Sequence, residues 1–164
     1  MRLFLDTEFE GLHDGAGLIS IALVSEDDRY FYAELSGCWL VSDCSDWVQA
    51  NVVAKLDCRA ETTMSRAEAA DRLRAFLSGF TEAVICFDSE HDERHLRGLL
   101  GPLPGHVRLE NINSEVEQAV FNAFFADQPH AQHHALTDAM ALAYAYRVTQ
   151  EIRQRAMRDR DDIC

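Results

Sequence analysis

Residues 18–35 constrain the fold most. Leu18–Ser25 (LISIALVS) and Arg29–Leu35 (RYFYAEL) are rich in β-branched and aromatic residues, and Glu26-Asp27-Asp28 between them supplies turn chemistry, which predicts a β-hairpin. Ahead of it, Leu3–Thr7 is short, apolar and bounded by acids, as a buried strand is. Glu10–Gly17 contains three glycines and reads as the connecting loop. The three strands together predict an antiparallel meander.

Downstream the pattern changes to helices and isolated strands. Asp46–Leu56 carries Trp47, Val48, Ala50, Val52 and Leu56 at helical spacing. Ser65-Arg66-Ala67-Glu68 fits a capping box, followed by the stripe Leu73, Phe76, Leu77 and Phe80. Ala83–Phe87 (AVICF) reads as a buried strand, and Glu90–Leu100 as a short helix stopped by Gly101-Pro102. Val107–Leu109 is a weak strand, Ser114–Phe125 a helix with Glu at N3, and Ala135–Arg155 a long Ala-rich helix. The prediction is one α/β domain over residues 1–164, with a mixed five-stranded sheet flanked by helices. Arg153–Cys164, with alternating Arg and Asp, is expected to fray into solvent.

Composition narrows the function classes. The 164 residues carry 28 acids against 15 Lys and Arg, a formal charge of −13. A chain this acidic does not coat nucleic acid nonspecifically, although an enzyme gripping a nucleic-acid end through metal ions is still allowed. The five cysteines form no CxxC, which argues against a disulfide scaffold or a thiolate zinc site. The apolar run at the start, Leu3–Leu5, is too short for a signal peptide, and no window approaches a membrane span, so a cytoplasmic protein with no membrane partner is expected. Arginine outnumbers lysine fourteen to one, Lys55 being the one, a bias that a GC-rich gene explains equally well.

Three acidic segments carry the chemistry. In Asp6-Thr7-Glu8, the two acids sit at i and i+2 of a strand, on one face and roughly 7 Å apart. Such a like-charged patch is either a solvated strand end or a site that a divalent metal relieves. In Phe87-Asp88-Ser89-Glu90-His91-Asp92-Glu93, Asp88 or Ser89 can cap the helix. Asp92 lies at i−4 from Leu96, on the inward face, where a carboxylate needs a partner. In His133-His134-Ala135-Leu136-Thr137-Asp138-Ala139, Asp138 lies on an apolar helical face. The helix dipole alone can stabilise that acid, and a His just ahead of it can serve as a general base near neutral pH.

In order and context the three segments resemble the motifs of the DEDDh branch of 3′–5′ exonucleases, and the short chain resembles small stand-alone bacterial exoribonucleases. Asp6 to Leu12 matches D-T-E-x-x-G-L, Asp92 to Leu96 matches D-x3-L, and His133 to Ala139 matches H-x-A-L-x-D-A. The resemblance covers Leu3 to about Tyr146 and implies a ribonuclease H-like fold. It further implies that Asp6, Glu8, Asp92 and Asp138 hold two divalent cations, Mg2+ or Mn2+, as in two-metal nucleases. Asp6 would bridge the ions, Glu8 and Asp138 would serve the ion that activates water, and Asp92 the ion beside the leaving 3′-oxygen. His133 would take the proton from the attacking water, releasing nucleoside 5′-monophosphates, with Phe9, Gly11 and Leu12 lining the slot for the terminal nucleotide. The implied partners are RNA 3′ ends, or single-stranded DNA, and homodimers occur in the superfamily.

The sequence departs from the family at two places. Asp88 stands where Asn is usual, as an extra ligand or a rival to Asp92, and His91 stands where an aromatic residue is usual. His134 neighbours the expected base. Two other classes of function are compatible with the residues: a catalytically silent nucleic-acid or nucleotide-binding module of the same fold, and a transition-metal site on His130, His133, His134 and an acid. Two bound divalent ions remove four negative charges, yet the excess that is left predicts a grip confined to a short 3′ end. A basic track upstream would have to come from Arg147, Arg153 and Arg155 or from a partner.

Overall fold

A computed structural model describes residues 1–13 and 15–161. The chain forms one six-stranded mixed sheet with helices on both faces. The strands are β1 (Arg2–Phe9), β2 (Leu18–Ser25), β3 (Tyr30–Ser36), β4 (Thr63–Ser65), β5 (Ala83–Phe87) and β6 (Val107–Asn111), in the spatial order β4-β3-β2-β1-β5-β6. β1, β2 and β3 are the antiparallel meander, and β5, β6 and β4 add in parallel. Every residue of β2 is buried, as a strand covered on both faces must be.

Alternation along β1 divides the core between the two faces. Leu3 and Leu5 pack with Leu73 and Leu77 of α2 (Arg66–Ser78) and with Leu96, Leu99 and Leu100 of α3 (Glu90–Leu100). Phe4 points the other way, toward Leu142 of α5 (Ala135–Asp161), while Ala135 and Ala139 of that helix close over Ala22 and Val24. Small residues on α5 let its axis approach the sheet closely. The same alternation directs the end of β1: Asp6 and Glu8 share the face of Phe4, and Thr7 shares the face of Leu5. Each leucine buried here adds roughly 1.5–3 kcal/mol of stability.

Three expectations need correction. The sheet has six strands rather than five, because Thr63–Ser65 pairs with Glu34–Ser36 as a three-residue edge too short for any periodic signal. The helix expected over Asp46–Leu56 gives way at the β-branched pair Val52-Val53, leaving α1 (Asp46–Asn51) and a 3-10 turn at Val53–Lys55. The helix expected from Ser114 begins later: α4 spans Gln118–Phe124, a 3-10 turn covers Asn113–Glu115, and the Glu117 side chain caps nothing.

Of the expected tail, residues 153–161 continue α5, with Arg153 donating to the Ser114 carbonyl at 3.1 Å and the side chains of residues 154–159 exposed; residues 162–164 lie outside the described part. Both predicted caps are present at α2 and α3: Ser65 accepts from the Glu68 N–H, and Ser89 from the His91 N–H. Among the described residues, no helix is long and apolar enough to cross a membrane.

Candidate metal centre

The end of β1 meets the N-terminal turns of α3 and α5, and the acids of all three motifs converge there. Asp6 and Glu8 face α5, where Asp138 is buried. Asp92 comes from α3 on the other face, also buried, and its Oδ1 accepts from the Thr7 N–H at 3.0 Å and the Thr7 hydroxyl at 2.6 Å. Thr7 is therefore the clasp between strand and helix. Its role follows from alternation, since the residue between two same-face carboxylates must face the opposite layer.

The electrostatics are those of crowded acids. Burial raises the Asp6 carboxyl well above the usual range, and Asp92, Glu8, Asp138 and Asp88 add to the shift. Burial and then Asp138 and Asp92 push Glu8 up to about 8. Burial pushes Asp92 to about 7 against the Thr7 hydrogen bonds, and Asp138 to about 7 against the His133 N–H. Asp88 is raised too, mainly by burial, and its charge reaches Asp6, Asp92 and Asp138. Ser89 is the residue that caps α3, so Asp88 is not its cap.

Two oxygens of this cluster are open to a cation. Asp6 Oδ2 and Asp138 Oδ1 are shut off from solvent and have no hydrogen-bond partner. A buried carboxylate oxygen without a donor is costly unless a cation reaches it. Hard oxygen ligands of this kind suit Mg2+ or Mn2+. Asp6, Glu8, Asp92 and Asp138, with Asp88 near them, are the acids that would hold divalent ions, and of these Glu8 and Asp138 bring ligand atoms together with His133.

His133 completes the arrangement. Its backbone is left-handed (φ 65°), and its N–H donates to Asp138 Oδ2 at 2.9 Å. Ligand atoms of Glu8, His133 and Asp138 lie within 4.8 Å of one another. Burial and then the charge of Lys55 lower the His133 pKa, which keeps the ring neutral and able to accept a proton. His134 points elsewhere, packing on Tyr32 at 4.8 Å between ring centroids and lying near Glu34 and Asp57. Among the described residues His130 joins neither His cluster, which removes the His130–His133–His134 metal site weighed from the sequence.

A cavity of about 630 Å3 adjoins Glu8, with Phe9, Gly11 and Leu12 in its wall. The opposite wall is Trp47, Val48 and Val52, residues that the motifs do not mark. Trp47 is 53% exposed and sits edge-on to the His133 ring at 4.8 Å, and Leu12 is 81% exposed. The Phe9 ring stacks on His91 and His95, at 5.3 and 4.8 Å. Buried Glu10 pins this loop by accepting from the Gly17 and Leu40 N–H groups, at 2.6 and 2.8 Å. A Cβ at position 17 would meet the Cys38 carbonyl at 2.5 Å, so only glycine fits. A second cavity, about 550 Å3 against α5, is lined by Phe124, Met140, Tyr144 and Arg147 among others and holds none of the motif residues.

A scan against models of protein families matches none, and a search of curated proteins finds no match.

Proposed function

We propose that the protein is a metal-dependent 3′–5′ exonuclease of the DEDDh type on a ribonuclease H-like fold, acting on short RNA 3′ ends in the cytoplasm. The observation that carries the reading is the convergence of Asp6, Glu8, Asp92 and Asp138 beside His133, with two carboxylate oxygens buried and unpartnered. Mg2+ or Mn2+ held by these acids supplies the positive charge that the attacking and leaving oxygens of a phosphodiester need. Asp6, Glu8 and Asp138 hold the centre from the α5 side, and Asp92, oriented by Thr7, from the α3 side. The neutral His133 ring takes a proton from the attacking water. The cavity between Leu12 and Trp47 accommodates the terminal base, with exposed apolar side chains suited to stacking. The choice of RNA over single-stranded DNA rests on the resemblance to small exoribonucleases.

The test uses RNA and DNA oligonucleotides labelled at either end, with Mg2+ or Mn2+. Stepwise release of nucleoside 5′-monophosphates from the 3′ end, stopped by a chelator, is expected. Metal binding without hydrolysis of any oligonucleotide would establish the silent binding module instead.

A further inference from the structure

The chain's single lysine sits beside the centre. Lys55 ends the 3-10 turn Val53–Lys55, and its Nζ donates to the Gln132 carbonyl at 2.6 Å. That bond spans 77 residues and reaches the residue just before His133. The arm from Asp46 to Lys55 therefore touches the His133 turn twice, through Trp47 on the ring and through Lys55 on the backbone. The charge of Lys55 is felt by Glu8, His133 and Asp138. Yet no carboxylate lies within 4.0 Å of it among the described residues. An ammonium carries three donors, and only one is used by a described residue.

We propose that Lys55 is a substrate-positioning residue, with one N–H holding the Gln132 carbonyl and the others receiving a phosphate oxygen of a ligand seated at the acids. The inference rests on the nuclease reading only in taking a phosphate as the ligand. A cation beside empty carboxylates repels an incoming metal ion, whereas the same cation attracts the phosphate. Loss of the charge therefore shifts the two affinities in opposite directions, while a collapsed turn weakens both. Lysine suits the task as a compact charge with rotatable donors, and arginine retains the charge.

The experiment compares the full chain with Lys55→Met, Lys55→Gln and Lys55→Arg. Mn2+ binding is followed by electron paramagnetic resonance, then AMP binding at saturating Mn2+ by calorimetry. For Met and Gln the expected result is Mn2+ affinity raised about three-fold and AMP affinity lowered about ten-fold, the latter being the loss of one charged hydrogen bond. Lys55→Arg should stay within about two-fold on both, since its charge is retained. Unchanged AMP affinity in the Met and Gln variants, or both affinities weakened together, would overturn the proposal. If the wild-type chain binds AMP with this Lys55 dependence but hydrolyses no oligonucleotide, the nuclease reading fails and the positioning role stands.

Discussion

Two clusters built from the same kinds of side chain lie one residue apart at the start of α5. In each, a histidine and two carboxylates bring ligand atoms within 4.8 Å: Glu8, His133 and Asp138 in one, Glu34, Asp57 and His134 in the other. They differ in what the carboxylate oxygens already hold. Glu34 Oε1 accepts from the Tyr32 hydroxyl at 2.9 Å and the Asp57 N–H at 2.6 Å. Its Oε2 accepts from the Cys58 N–H at 2.9 Å and the Thr63 hydroxyl at 3.3 Å. Glu34 thus spends its acceptors on folding the segment that leads into β4. At the other cluster Asp138 Oδ1 is left without a donor, as is Oδ2 of neighbouring Asp6, while in the Glu34 cluster it is the His134 ring, through Nδ1, that is buried without a partner. Proximity of ligand-type atoms alone therefore does not mark a cation site; what distinguishes the two clusters is that the Glu34 oxygens are saturated with donors and Asp138 Oδ1 is not.

The largest expected effect is on chemistry. Asp138→Asn should lose metal-dependent hydrolysis to background while its metal-free melting temperature at pH 8 does not fall. His133→Ala should slow hydrolysis by about 10²–10⁴-fold, the usual contribution of a general base. His134→Ala should stay within about two-fold, because its ring lies outside the acid cluster. Equal losses at positions 133 and 134, measured on labelled RNA, would erase the distinction between the clusters.

Glu34→Ala should show the reverse pattern. Removing its acceptors strands several donors, at a cost of about 3 kcal/mol in denaturant unfolding. Mn2+ affinity of the folded variant should be unchanged, and a drop would make the Glu34 cluster a metal site as well.

A smaller effect is expected with pH. Glu8 titrates near 8 and Asp92 and Asp138 near 7 in the fold, all above the ordinary carboxylate range of the unfolded chain. Between those limits the folded state binds more protons. The contribution of these acids to stability is therefore complete below about pH 4 and is lost as pH rises through 7 to 8. Saturating Mn2+, which selects the deprotonated acids, should abolish the slope. Melting curves that are flat with pH without metal would contradict the crowding of these acids.

The central elements were legible because each carries a repeated local signal. β2 spans the expected residues, and α3 spans its expected ones because Ser89 and Gly101 mark its ends. Asp92 could be placed from helical phase alone, since Leu96 fixes which face is buried. The edge strand β4 could not, because three residues contain no period. The break in α1 at Val52-Val53 was hidden because apolar spacing continues through it. Trp47 and Lys55 stayed invisible as site residues for a different reason. Their parts depend on contacts with Gln132 and His133, far along the chain, and nothing in their local sequence encodes that meeting.

The left-handed backbone at His133 bears on how this chain can evolve. An L-residue other than Gly or Asn held at φ 65° carries roughly 1–2 kcal/mol of steric strain. Glycine at this position would relieve that strain while removing the imidazole. If His133 is the base, a glycine in its place would give a better-relaxed backbone with the acids kept and the proton acceptor gone. Retention of histidine at this strained position therefore has to be offset by what its ring does, in contact with Trp47 and beside Glu8 and Asp138.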